Sequence, residues 1–154
     1  MKSIVASLVV VSLAFAGDPP KDEVVSGEVK KFQGDWVVVS IERNGTKTDP
    51  VVTKSFHRTI EGKKFTITYE NNEGFHTLEG TISLDPAQDP KTIDAVMTDI
   101  SNKGKILLGI YKLENDVQTV CFATPGQKRP TKFDSSQGTL TIWKHERTPA
   151  SKSQ

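Results

Sequence analysis

Hydrophobic and polar residues alternate in short runs from Trp36 toward the C-terminal region, and each run stops at a cluster of Gly, Pro, Asn or Asp. A period of two sends successive side chains to opposite faces of an extended chain, so these runs predict strands. Strands are expected at about 35–43, 56–61, 64–70, 75–84, 92–98, 106–113, 117–123 and 139–146. Between them, Glu61-Gly62-Lys63, Asn71-Asn72-Glu73-Gly74 and Glu114-Asn115-Asp116 supply the turn formers that hairpins need. Consecutive strands are therefore read as antiparallel neighbours. Asp85-Pro86 and Asp89-Pro90 bracket a loop, and Thr124 to Gly138 is the longest connector. Only Asp49 to Ser55 suggests a helix, a short one with Asp49 as its cap and Pro50 in the first turn.

Such a set of strands must bury one face, and left open it would expose two edges of unpaired backbone. Closure into a small antiparallel up-and-down β-barrel of about eight strands removes both edges. A two-sheet sandwich is the competing solution, and the meander order favours the barrel. The barrel domain spans 32–147, between a Pro- and charge-rich leader at 17–31 and a tail at 148–154, both read as flexible. In the first strand Trp36, Val38, Ser40 and Glu42 face one way and Val37, Val39, Ile41 and Arg43 the other. Valines stand on both sides, so alternation alone does not choose the interior.

At 154 residues the chain is long enough for one core. Residues 1–16 combine Lys2, an apolar run from Ile4 to Phe15 and the small-x-small site Ala14-Phe15-Ala16, which together read as an export signal cleaved near Ala16. The apolar run is about twelve residues, short of the ~20 that cross a bilayer, so no integral membrane segment is expected in the mature chain. The expected location is periplasmic or secreted. Cleavage removes one basic residue, Lys2, after which basic and acidic residues balance. That balance argues against a nucleic-acid partner, whose binding needs a basic surface. Cys121 is the single cysteine, so no intrachain disulfide is available and the fold must hold by packing. No pattern sets an oligomeric state.

Candidate chemistry is sparse. His57, His76 and His145 stand apart, with no ligand spacing between them, so neither a metal site nor a cofactor is expected. There is no Gly-x-Ser-x-Gly, and Ser40 and Ser83 lie in mid-strand without a local base. Cys121 between Val120 and Phe122 reads as a buried, inert thiol. No catalytic residue is assigned, and the protein is not read as an enzyme. Glu79 shares the more polar face of its strand with Thr77, Thr81 and Ser83 and reads as solvated. Phe65, Ile67 and Tyr69 form an apolar stripe against Lys64, Thr66, Thr68 and Glu70. The stripe either fills the core or lines a pocket, since eight strands leave room for side chains or one small ligand.

FQGDWVVVSIERNG (32–45), DPKTIDAVMTD (89–99) and GKILLGIYKLENDVQTVCFATPGQKRPTKF (104–133) resemble a family of uncharacterised exported lipocalin-like domains expanded in planctomycete bacteria. The last segment is the most specific, through Gly109-Ile110-Tyr111, Cys121-Phe122 and Arg129-Pro130-Thr131 with Phe133 following. The resemblance implies a calycin-type barrel and carries no established activity. It also gives Gly34-Asp35-Trp36 a role: in lipocalin-like barrels such a tryptophan closes the floor, and an arginine after the last strand lies across its ring. Here Gly34, Trp36 and Arg147 would form that closure. With Trp36 inward, Glu42 also points inward some 20 Å higher, at ~3.3 Å per residue. There it would either grip a ligand or pair with a neighbouring Lys or Arg. The functional expectation is an exported, non-enzymatic protein with a small apolar or amphipathic ligand held near Glu42, Phe65 and Tyr69. The alternative is a solid-cored barrel that acts as a cell-envelope or protein-interaction module.

Overall fold

The computed structural model describes residues 21–136 and 140–148. The segment expected to be an export signal, residues 17–20 of the leader and all of the tail beyond Thr148 lie outside them. The strands are β1 (Gly34–Arg43), β2 (Thr46–Lys47), β3 (His57–Glu61), β4 (Lys64–Asn71), β5 (Gly74–Asp85), β6 (Thr92–Met97), β7 (Ile106–Glu114), β8 (Val117–Ala123) and β9 (Leu140–Arg147), and all but the two-residue β2 occupy the alternating runs. They pair in the order β2-β1-β3-β4-β5-β6-β7-β8-β9, and β9 returns to β1. Every pairing is antiparallel. The two-residue β2 is a spur on β1, and the other strands form a closed eight-stranded barrel. Closure rests on a ladder that runs from Trp36↔Arg147 to Arg43↔Thr141. It satisfies the edge groups that a sandwich would leave open.

The predicted flexible leader is helical from Lys21 on, where α1 (Lys21–Phe32) forms. The physical reason lies in four residues at helical spacing: Val25, Glu28, Val29 and Phe32 turn toward the barrel end, and Phe32 is fully buried. Lys30 and Lys31 occupy the last turn, where positive charge suits the helix dipole. The Phe32 ring meets Tyr111 edge-on at 5.0 Å, and the Phe32 carbonyl accepts from the Trp36 indole N–H at 2.9 Å. The buried Glu28 carboxylate accepts from Lys91 at 2.7 Å, Lys31 at 3.0 Å and the Tyr111 hydroxyl at 3.2 Å. Burial works to raise its pKa, and the bonds from the two lysines bring it below the ordinary carboxylate value. A second, short helix, α2 (Pro50–Thr53), starts at Asp49, whose carboxylate accepts from the Val51 N–H at 2.7 Å.

Two glycines shape the wall. Gly80 faces Phe65 across β4–β5, and Gly109 faces Phe122 across β7–β8. A Cβ at Gly80 would lie 2.5 Å from the Phe65 ring, and one at Gly109 2.6 Å from the Phe122 ring. Each glycine leaves room for an inward aromatic ring. On the outer face, the 124–136 connector is strapped down by Arg129, which donates to the carbonyls of Ile93 and Gly109 at 3.2 and 2.8 Å and pairs with Asp94 at 2.6 Å. Cys121 is buried near Asp134, and burial pushes its thiol up to about 11. Among the described residues no helix is long and apolar enough to cross a membrane.

Candidate functional site

Alternation places Ile60 of β3, Phe65 and Ile67 of β4, Leu78 and Ile82 of β5, and Val120 and Phe122 of β8 on inner faces. Between them lies a cavity of about 90 Å³. Its wall is almost entirely apolar except for Arg58 and His145. Ile67, Leu78, Leu107, Phe122 and Trp143 are only partly buried, so the wall on the side away from α1 reaches toward solvent.

The polar groups lie toward the α1 end. Arg58 is 6 % exposed, Gln118 0 % and His145 1 %. Gln118 is paired directly with His145 across β8–β9, while Arg58 reaches from β3 across the lumen to donate from Nη2 to Gln118 Oε1. Among the described residues, Arg58 Nε, Gln118 Nε2 and both ring nitrogens of His145 find no hydrogen-bond partner. The Arg58 guanidinium also lies 6.0 Å from the centroid of the Trp36 ring. Burial lowers the Arg58 pKa to about 9. Burial, and then the charge of Arg58, hold His145 well below its ordinary 6.5, so the imidazole is neutral near pH 7.

Of the expected ligand residues, Phe65 lines the cavity. Tyr69 stands farther along the same face, toward the open end, and its ring stacks on Phe56 at 4.5 Å and His76 at 4.9 Å. Phe56 in turn meets Trp143 at 5.7 Å. Glu42 is not brought to either group. The expectation that it follows Trp36 inward is corrected by a β-bulge between Val38 and Ser40, which shifts the register of β1 on β9. Beyond the bulge Ile41 stands opposite the cavity-lining Trp143 and is buried, so Glu42 turns to the outer face. There its carboxylate accepts from Ser135 Oγ at 2.7 Å.

Gly34, Trp36 and Arg147 meet at the end that α1 covers. Trp36 is fully buried, and the Arg147 guanidinium carbon lies 4.2 Å from its ring centroid. Gly34 adopts φ +99°, and a Cβ there would sit 3.3 Å from Arg147 Nη1. Arg147 also donates to the carbonyls of Gln33 at 2.5 Å and Lys31 at 2.7 Å, and to Asp116 at 2.8 Å.

Arg58 and Gln118 went unnoticed in the sequence and His145 was weighed only as a metal ligand, because polar residues in a strand are ordinarily assigned to water. Their signal was phase. Arg58 is two residues from Ile60, Gln118 two from Val120 and His145 two from Trp143, each on its inward side. Among the described residues no group of His, Cys, Asp and Glu is placed to hold a metal ion.

No family model and no curated protein sequence matches the chain. Two solved structures resemble it. A lipocalin-like protein from Bacteroides uniformis ATCC 8492 has 13% sequence identity and a TM-score of 0.50, covering 77% of this chain and 99% of that one. An uncharacterized protein from Bacteroides eggerthii DSM 20697 has 11% identity and a TM-score of 0.47, covering 75% and 98%. The first of these likenesses places the fold of this chain among lipocalin-like barrels.

Proposed function

We propose that this is an exported, non-enzymatic binding protein that takes one small amphipathic molecule into the barrel interior. The observation that carries the reading is the cavity itself: apolar walls, a partly exposed side, and at its inner end buried polar atoms with no hydrogen-bond partner among the described residues. At about 90 Å³ it falls well below the ~300 Å³ or more of a drug-sized pocket, so a sterol, a pigment or a long acyl chain is too large for it. The resemblance to exported planctomycete lipocalin-like domains supports the location.

Native mass spectrometry of protein purified from its own host tests the role, with a stoichiometric small molecule as the expected result. The same small cavity also suits a solid-cored barrel that works through its surface in the cell envelope. No added mass, together with a melting temperature that small apolar and amphipathic compounds leave unmoved, would select that second reading. Export is checked by N-terminal sequencing of mature protein, which should begin at Gly17 or within a few residues of it.

A further inference from the structure

Arg58, Gln118 and His145 together carry an excess of hydrogen-bond donors. A guanidinium offers five N–H groups, an amide two and a neutral imidazole one, while the imidazole's other nitrogen and the amide oxygen are the acceptors. The amide oxygen is already taken by Arg58, and among the described residues Arg58 Nε, Gln118 Nε2 and the imidazole nitrogens have no hydrogen-bond partner. Charge is unbalanced in the same sense. Arg58 is buried, and among the described residues none of its hydrogen bonds or ion pairs reaches a carboxylate. Trp36, at 6.0 Å, offers only a ring face. A buried cation without an anion is costly, and a neutral water cluster would satisfy donors without offsetting the charge.

We propose that the inner end of the cavity binds the carboxylate of a small monocarboxylic acid, gripped by Arg58 and His145 while Gln118 holds the Arg58 side chain, with the acid's apolar part against Ile60, Phe65 and Val120. This rests on the binding role proposed above and names its ligand class. A single negative charge matches the single positive charge of Arg58 beside a neutral His145, whereas a phosphate dianion would leave one charge uncompensated. The planar fork of a carboxylate also suits a guanidinium. Size sets the rest: about 90 Å³ equals the share of roughly three waters in the liquid, room for a carboxylate with a short aliphatic chain.

The test measures binding of acetate, propionate, butyrate and isovalerate to the purified protein by calorimetry and by thermal shift. Propionamide and butyramide serve as neutral matches, and sodium chloride as a bare anion. Butyrate or propionate should bind about tenfold or more tighter than its amide, as loss of a charge-assisted contact predicts. Arg58→Met keeps an apolar stem of similar length and removes the cation, and Gln118→Leu does the same for the amide. In folded protein, shown by circular dichroism, Arg58→Met should abolish the preference for acid over amide. Equal binding of acids and amides would overturn the carboxylate assignment and leave the binding role standing. Chloride binding as tight as any acid, with no dependence on chain length, would also overturn it. Failure of every probe, together with no co-purified ligand, would overturn both readings.

Discussion

Arg147 joins three parts of the chain by one side chain: the Trp36 ring at 4.2 Å, the last carbonyls around α1, and Asp116 in the β7–β8 turn. Trp36 is fully buried, so Trp36→Ala should cost about 3 to 5 kcal/mol in chemical unfolding. In a double-mutant cycle of Trp36→Phe with Arg147→Ala, the coupling should be at least about 0.5 kcal/mol, and additive losses would show that the ring and the guanidinium do not interact. His145 supports a prediction in pH. Its folded pKa lies well below 6.5, so below that value the unfolded chain takes up a proton that the folded chain refuses. Stability from this residue is complete above about pH 6.5 and falls as pH drops below it, by at most about 1.36 kcal/mol per unit. Glu28, also lowered, adds its own loss only below about 4.5. Urea unfolding between pH 7.5 and 5 should therefore show a slope that His145→Gln flattens. An unchanged slope in the variant would place the titration elsewhere.

Among the elements, β7 depends on a position with no side chain. Gly109 has the Phe122 ring and the Cys121 carbonyl where a Cβ would go, at 2.6 and 2.8 Å. Gly109→Ala should cost about 1 to 3 kcal/mol by overpacking, and adding Phe122→Leu, which vacates the ring space, should recover part of that loss. A double variant no more stable than the single one would put the cost in the backbone instead. In β1 the bulge decides which residues belong to the interior. Because it turns Glu42 toward Ser135, Glu42→Ala should leave ligand binding unchanged, while the cavity-lining Phe65 should not be replaceable in the same way. Helix α1 covers the closed end with Phe32, whose burial explains why a segment with two prolines before it and many charges is nonetheless ordered.

The described strands form a ring in which β9 pairs with β1, so neither strand is left as an open edge. A chain truncated after Ala123 loses β9, with its ladders to both β1 and β8. It should show no cooperative thermal transition by circular dichroism, and a sharp transition would mean that closure is dispensable. Alternation was enough to locate the eight strands of the barrel, since a period of two follows directly from backbone geometry, but not the two-residue β2. Asp49 and Pro50 announced α2 through local capping chemistry, and the apolar Ile4–Phe15 run suggested export by composition. What alternation could not supply was phase across an irregularity: one extra residue between Val38 and Ser40 exchanges the faces of everything after it in β1, and that bulge is set by pairing with β9, about a hundred residues away. The order of α1 likewise depends on a barrel end to pack against. The grouping of Arg58, Gln118 and His145 required closure itself, because these residues lie on strands far apart in sequence and Arg58 meets Gln118 only across the lumen. Local periodicity fixes which way a side chain leaves its strand; only the closed wall decides what it faces there.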